Sequence, residues 1–455
     1  MRDGDRRVKG REVAGKWPDR PVSAGMFVGR TARFAKVSAG FDCRPLDNVT
    51  HTLIGALLGE SAARLAPVAG NGRQAKLRRG LFLAVAIVGS NFPDADLLST
   101  LGSDGKLAYL LEHRGHTHTV VGAVLISVAM LGACAVWQRW RGLALSVGDR
   151  GWLVALALLA PLLHVAMDAL NTYGVHPWWP FDNRWYYGDA VFIVEPLYWA
   201  AAAPLVFLFT SYPARAFVVL ALVAGLYLAF VTGMVAAGSI AFYCLLVVAM
   251  LALGRYAAPK IALCAAVGAC LLTTALFAVT SREAARRVDA YAAQHLHDWT
   301  IVDRVLTPLP MNPFCWELIM IESNQRDYAL RRAIVSLAPS RMASLQCPMR
   351  TMMGAISAPL RRVAAPDPAV VHWHGEIVLS RDALRDLART SCEAAALLRF
   401  ARAPWYAEHG DRRVIGDLRY DREPALGFAE IDLARAARCP GYVPPWVPPR
   451  SDLLR

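Results

Sequence analysis

The chain has 455 residues, of which 55% are hydrophobic and 19% charged, with a formal net charge of +13; its mean hydropathy is +0.33. Soluble globular chains carry about 25% charge, so a wholly soluble protein and a largely disordered one are both excluded. The positive charge is not a nucleic-acid footprint. Residues 1–44 hold 11 Lys/Arg against 5 Asp/Glu, and much of the rest lies in short loops between apolar runs, which is the pattern of membrane topology. No helix-turn-helix, zinc-finger or RNA-binding signature is present, and no nucleic-acid partner is expected.

In chain order, a basic leader comes first. It has no continuous apolar run before His51, as a signal peptide would, and its character predicts that translation starts at Leu46. Two weak apolar stretches follow. His51–Val68 is interrupted by Glu60 and Arg64, and Leu81–Ser90 runs into Asn91-Phe92-Pro93-Asp94. Thr119–Trp137, Trp152–Leu170, Val191–Thr210, Ala216–Val235 and Ile261–Val279 are clear spanning candidates, with a shorter sixth at Ile240–Leu253. Each is near the roughly 20 residues a crossing helix needs. The expected fold is mainly α: a polytopic transmembrane bundle of about eight helices, the first two weakest, with a mixed α+β soluble C-terminal domain. The chain divides into a leader (1–46), a membrane domain (47–200), additional transmembrane helices (201–280) and an extracytoplasmic domain (281–455).

Loop charge sets the orientation. Loops 71–79, 138–150, 211–215 and 254–260 together hold 10 Lys/Arg, whereas 99–117, 171–190 and 236–239 hold 3. The first set belongs in the cytoplasm, although the basic leader opposes this. The domain after Ser281 is then periplasmic. It opens with an expected helix, Arg282–His297, and carries expected strands at Ala333–Leu337 and Val370–Leu379. Cys315, Cys347, Cys392 and Cys439 permit two disulfides there, in any of three pairings. Cys134, Cys244, Cys264 and Cys270 lie in apolar runs and read as helix-packing residues. His372-Trp373-His374, and the turn His409-Gly410-Asp411, read as structural.

Ionisable residues in a membrane mark function by default. Here they fall at His51, at Asp94 and Asp96, in His113-Arg114-Gly115-His116-Thr117-His118, at His164 and Asp168, and at Glu195, one turn into its expected helix. The orientation drawn from loop charge places all of these clusters at one depth, on the outer face. His164 and Asp168, spaced i and i+4, share a helix face. Imidazole with carboxylate suits zinc or manganese, and two metals could be held. Such a centre activates water and stabilises charge on a phosphate or carbonyl oxygen. Arg114 could clamp an anionic substrate group, and Glu195 could be a further ligand or the general base. Taken singly, each cluster has a plainer reading: a buried hydrogen-bonded pair for His164 and Asp168, helix caps for Asp94 and Asp96. Their common depth favours the metal. The loop Asn171–Phe181 reads as an interfacial mouth, with His176 at the interface and Asn171 near the site.

These clusters resemble the membrane-bound metal-dependent hydrolase family, whose inner-membrane members are described as LexA-binding hydrolases. The resemblance rests on Asp47-Asn48-Val49-Thr50-His51-Thr52, Pro93-Asp94-Ala95-Asp96, His113-Arg114-Gly115-His116-Thr117-His118 and His164 through Tyr173-Gly174. It continues weakly to Glu195-Pro196 and covers residues 47–200. It implies metal-ligand positions at His51, Asp94, Asp96, His113, His118, His164 and Asp168, with His116 outside the set and Glu195 in place of an expected Asp. The expected function is a membrane-embedded hydrolase of an ester or phosphoester at the outer face of the inner membrane. Its partner is membrane lipid, its substrate a lipid or lipid-linked molecule, and its cofactor a divalent ion, zinc or manganese. The competing readings are a non-enzymatic anchor for envelope assembly and a transporter with a structural metal site.

Overall fold

The computed structural model describes residues 44–66, 72–100, 105–296, 299–348, 357–366, 368–422, 426–435 and 439–455; the leader 1–43 lies outside them. The two weak apolar stretches are full helices, α1 (Arg44–Leu65) and α2 (Gly72–Gly89). The two charged residues that interrupt the first stretch, Glu60 and Arg64, are paired with each other. Glu60 is fully buried and accepts from Arg64 Nε at 3.3 Å and Arg79 Nε at 3.1 Å. Gly55 and Gly59, one turn apart, let the two backbones touch: a Cβ at Gly55 would lie 2.8 Å from the Ala86 carbonyl oxygen.

A 3-10 turn (Phe92–Asp96), the short helix α3 (Lys106–Glu112) and a second 3-10 turn (His116–His118) lead into α4 (Val120–Arg141) and α5 (Val147–Asp168). Thr119 caps α4 by accepting from Gly122 N, and Ser146 with Asp149 forms a capping box on α5. Pro161 lies inside α5. It has no N–H to give Ala157 O, four residues back. Ser127 Oγ of α4 donates to that carbonyl instead, at 2.7 Å, which is how membrane helices tolerate proline.

Val191–Thr210 is not the single helix expected from its hydropathy. It is an extended stretch followed by α6 (Pro196–Ala201) and α7 (Leu205–Leu208). Pro196 and Pro204 break it, because proline also keeps the preceding residue out of the helical region. Glu195 is therefore the N-cap of α6 rather than a residue one turn inside a helix. The broken segment still runs from one end of the bundle to the other. Ala190 N bonds Leu170 O at 2.8 Å beside the polar clusters, and Leu208 O accepts from Arg79 Nη2 at 2.8 Å near Glu60. Trp199 through Ala203 are completely buried, and irregular backbone survives at membrane depth only inside protein.

α8 (Tyr212–Val231), α9 (Ala237–Tyr256) and α10 (Pro259–His295) surround this segment. Among the described residues, five helices are long and apolar enough to cross a membrane: α4, α5, α8, α9 and α10. α10 has 37 residues, about 55 Å at helical rise, against a hydrocarbon core of about 30 Å. The segment Arg282–His297, expected as a separate helix, is mostly the continuation of this span; its excess length packs on the C-terminal sheet. Cys244 and Cys264 are exposed on their helices rather than packed between them, while Cys134 is buried.

Four antiparallel strands form a meander, β1 (Thr300–Leu309), β2 (Asn312–Ser323), β3 (Asp327–Ser336) and β4 (Val371–Ser380). β3 and β4 overlap the strands expected at Ala333–Leu337 and Val370–Leu379, each missing one end residue, Leu337 and Val370. After α11 (Arg381–Thr390) and α12 (Cys392–Leu397), β5 (Pro404–His409), β6 (Arg412–Asp417) and β7 (Glu430–Asp432) form a second antiparallel sheet. Of the three possible disulfide pairings, Cys315–Cys347 and Cys392–Cys439 are the pair formed.

This C-terminal domain is not a separate body. Leu107, Leu110, Leu111, Tyr173 and Trp185 of the membrane domain share a core with Leu397, Phe400, Trp405 and Trp446. Trp446 Nε1 donates to Leu111 O at 2.8 Å, and Trp185 Nε1 to Arg399 O at 2.7 Å. The turn between β1 and β2 reaches the broken segment: Met311, with φ of 57°, donates its N–H to Glu195 Oε2 at 3.0 Å. The sheets form a roof over one end of the bundle.

Candidate metal centre

Beneath that roof, four stretches distant in sequence converge. The first turns of α1 bring Asp47 and His51, one turn apart. The 3-10 turn after α2 brings Asp94 and Asp96, the loop before α4 brings His113, Arg114 and His118, and the last turn of α5 brings His164 and Asp168. Asn171 follows from the next loop. All seven positions expected to be ligands fall into three overlapping groups: Asp94 with His118, His164 and Asp168; Asp47 with His51 and Asp168; Asp94 with Asp96 and His113.

The first group has the geometry of a coordination site. His118 Nε2 and His164 Nε2 face each other at 3.1 Å. His118 Nε2 is 3.2 Å from both Asp94 Oδ1 and Asp168 Oδ2, and His164 Nε2 is 3.4 Å from each. A tetrahedron of ~2.0 Å metal–ligand bonds has edges of ~3.3 Å. In the second group, Asp168 Oδ1 lies 3.3 Å from His51 Nε2, which is 3.6 Å from Asp47 Oδ1. Asp168 thus turns one oxygen to each group. Neither oxygen of Asp168 and neither ring nitrogen of His51 has a hydrogen-bond partner of proper geometry, although all are buried. Asp168 has ion-pair neighbours, Arg114 among them, but the buried His51 nitrogens need an explanation, and a cation between His51 and Asp168 supplies one for Nε2.

The surrounding groups aim the ligands. His164 Nδ1 lies 2.7 Å from Ser90 O, which fixes the tautomer with its proton there and leaves Nε2 as the donor to a metal. His118 Nδ1 is 3.3 Å from Asp96 Oδ2. Asp96 is heavily engaged: Oδ1 meets His113 Nδ1 at 3.1 Å, and Oδ2 accepts from Arg114 N at 3.0 Å and Thr117 Oγ1 at 3.1 Å. This makes Asp96 best suited to orient His118 and His113. Although burial alone would raise them, hydrogen bonds from histidines hold the Asp94 and Asp96 carboxyls below the ordinary range: His118 and His164 act on Asp94, and His113 and His118 on Asp96.

Arg114 is placed differently from a clamp open to substrate. It is buried, with φ of 60°. Its guanidinium donates to Asp47 Oδ2 at 2.7 Å and Asn171 Oδ1 at 2.9 Å, and lies 3.0 Å from Asp168 Oδ1. Burial opposes its charge, but Asp168 and Asp47 hold its pKa above the usual value. Among the described residues of the cluster, four carboxylates face this single guanidinium. That imbalance is severe in a buried site, and divalent cations would correct it.

Glu195 lines a cavity of about 20 Å³ with Asp47, His51, Asp168 and Asn171, room for one water. It belongs to none of the three ligand groups. Its Oε1 accepts from Leu197 N at 3.0 Å and its Oε2 from Met311 N. His176 is not interfacial: it is fully buried and stacked on Trp446 with ring centres 3.7 Å apart. Burial pushes its pKa down to about 3. His116 lies outside the ligand groups, 3.2 Å from Tyr442 Oη. Asp47 went unassigned in the sequence reading, although Asp47 and His51 repeat the i, i+4 spacing of His164 and Asp168.

Comparison with known proteins falls on this same part of the chain. Residues 46–239 match the family model described as YdjM inner membrane protein. That segment contains every residue of the ligand groups. A similar protein is the uncharacterized protein YfhP of Bacillus subtilis (strain 168), 29% identical over 140 residues. The match covers 31% of this chain and 39% of that protein. No solved structure matches. The YdjM match agrees with the inner-membrane part of the resemblance read from the motifs.

Proposed function

We propose that the chain is a metal-dependent hydrolase of the inner membrane, acting on an ester or phosphoester of a lipid or lipid-linked substrate. The observation that carries this is the near-tetrahedral set of His118, His164, Asp94 and Asp168, joined through Asp168 to Asp47 and His51. The nitrogen and oxygen donors at tetrahedral spacing favour zinc, and the carboxylate-rich second group also suits manganese. When bound, two such ions would polarise the substrate's oxygen and lower the pKa of a water.

The chain's own residues prepare that chemistry. Asp168 sets the relation between the two groups by facing both. Arg114 holds Asp47 and Asp168 in place, with Asn171 fixing its other arm, so it acts as a positioning residue. Ser90 O and Asp96 set the tautomers of His164 and His118. The C-terminal roof keeps bulk water from the ligands. Glu195 ties the cavity wall to the turn between β1 and β2. The two disulfides and the loop-charge bias both support a periplasmic roof and a site on the outer face.

Metal content of the full-length protein by mass spectrometry is the test. About two equivalents of zinc or manganese are expected, lost in His164→Ala/Asp168→Ala, with metal-dependent hydrolysis of bis-p-nitrophenyl phosphate or a phospholipid. A folded, monodisperse wild-type protein that takes up no metal after reconstitution would overturn the reading in favour of an anchor.

A further inference from the structure

A groove of about 540 Å³ opens between α1, α5 and α10. Its walls are almost wholly apolar, from Ile54 and Leu57 on one side to Leu263, Val267 and Leu271 on the other. From Lys260 to Thr274 it runs about 21 Å along α10, a length suited to an extended lipid tail. Arg64 and Lys260 mark the end far from the metal centre. At the near end, the Tyr198 Oη to Thr274 Oγ1 hydrogen bond at 2.8 Å lies across the neck. Two residues of that neck, Met167 and Tyr198, also line the small cavity that holds Asp47, His51 and Asp168.

We propose that this groove seats the acyl chain of the substrate, with the phosphoester at the groove's Met167–Tyr198 end, next to the ligand groups, and the tail running toward Lys260. The proposal rests on the hydrolase reading and deepens it: the substrate class is a glycerophospholipid or a lipid of similar form. Three observations carry it together. The groove lies among membrane-spanning helices, where an apolar chain is at hand. It is parted from the cavity by the side chains of Met167 and Tyr198, which line both. Its cavity end carries the ligand groups, which once loaded with cations complement an anionic phosphate. Met167 suits the neck because an unbranched thioether side chain can swing without strain. Arg64 and Lys260 sit where long basic side chains reach the opposite interface.

Gly268 provides the probe. It lines the groove, and a Cβ there would meet no atom within 4 Å. Gly268→Leu therefore fills the groove without a clash, and Gly268→Ala leaves it nearly open. The experiment uses the full-length, metal-loaded protein in nanodiscs. These contain phosphatidylglycerol bearing a diazirine either at the tail end or beside the glycerol. Irradiation and peptide mapping should place the tail-end label near Lys260–Cys264 and the glycerol-side label near Met167, Tyr198 and Thr274. Gly268→Leu should cut groove labelling about tenfold, since a buried chain loses roughly two methylenes of contact; Gly268→Ala should leave it unchanged.

Labelling indifferent to Gly268→Leu would mean surrounding bilayer lipid only and would overturn the proposal. Reversed polarity, with the glycerol-side label at Arg64 and Lys260, would mark a structural lipid of the other leaflet and overturn it equally. Labelling needs no turnover. Its loss in a protein that holds its metals refutes the groove alone, and intact labelling in a protein that binds no metal refutes the hydrolase reading.

Discussion

The two ends of the helix bundle both bury charge, and they do so in opposite ways. At the end near the loop between α4 and α5, Glu60 accepts from Arg64 and Arg79, and Asp149 pairs with Arg78 and Ser146. Each carboxylate there has a cation. At the roofed end, Asp47, Asp94, Asp96 and Asp168 converge on four imidazoles and on Arg114 alone among the described guanidinium groups. Structural charge in a low-dielectric interior is matched within the protein, because an unpaired ion is too costly. A surplus of one sign, with ligand atoms facing each other, is the mark of a site that expects a cation from outside.

The sharpest break of this contrast is at Asp168. Asp168→Ala should abolish metal uptake altogether, because the residue serves both groups, whereas Asp47→Ala should lose about half of it; metal analysis on purified variants reads both. At the opposite end, Glu60→Ala should leave metal content intact and destabilise the fold by about 1–3 kcal/mol, since it leaves the half-buried Arg64 and Arg79 guanidinium groups without their carboxylate. Glu60→Leu/Arg79→Leu should recover most of that loss in thermal unfolding. If Glu60→Ala instead removed the metals, the two ends would not be independent.

Glu195 tests the joint between roof and bundle. Its two oxygens accept from Leu197 N and Met311 N, so Glu195→Ala leaves both amides unpaired and should cost ~2–5 kcal/mol. Thermal unfolding of the variant reads this, and an unchanged stability would refute the joint. Smaller still, Ser127→Ala should cost ~1–3 kcal/mol by leaving Ala157 O unsatisfied beside Pro161, with no change in metal content.

Much of the site was legible beforehand because its ligands lie in short local patterns. The i, i+4 pair at His164 and Asp168 and the dense run His113–His118 need no tertiary knowledge to be noticed. The same spacing at Asp47 and His51 was equally readable, but His51 was read as the start of its stretch rather than a residue two turns into a helix. The sorting of roles was not legible. Arg114 reads as a substrate clamp from its neighbours in sequence, yet its partners Asp47, Asp168 and Asn171 come from elsewhere in the chain. Asp96 reads as a ligand equal to Asp94 until Thr117 and the Arg114 amide are seen to engage it.

By itself, the sequence determined the membrane character, the mainly helical bundle and the convergence of histidine and carboxylate at one end. Hydropathy and loop charge are local sums that tertiary packing does not reverse. Tertiary structure alone decided the broken course of residues 191–208, the continuity of α10 into the sheet domain and the roof over the His and Asp groups that could hold a metal. Those outcomes depend on which surfaces meet. Pro196 and Pro204 can break a crossing segment only because other helices enclose its freed backbone. Trp446 is a core residue only because it finds His176 and the Leu111 carbonyl, hundreds of residues away along the chain.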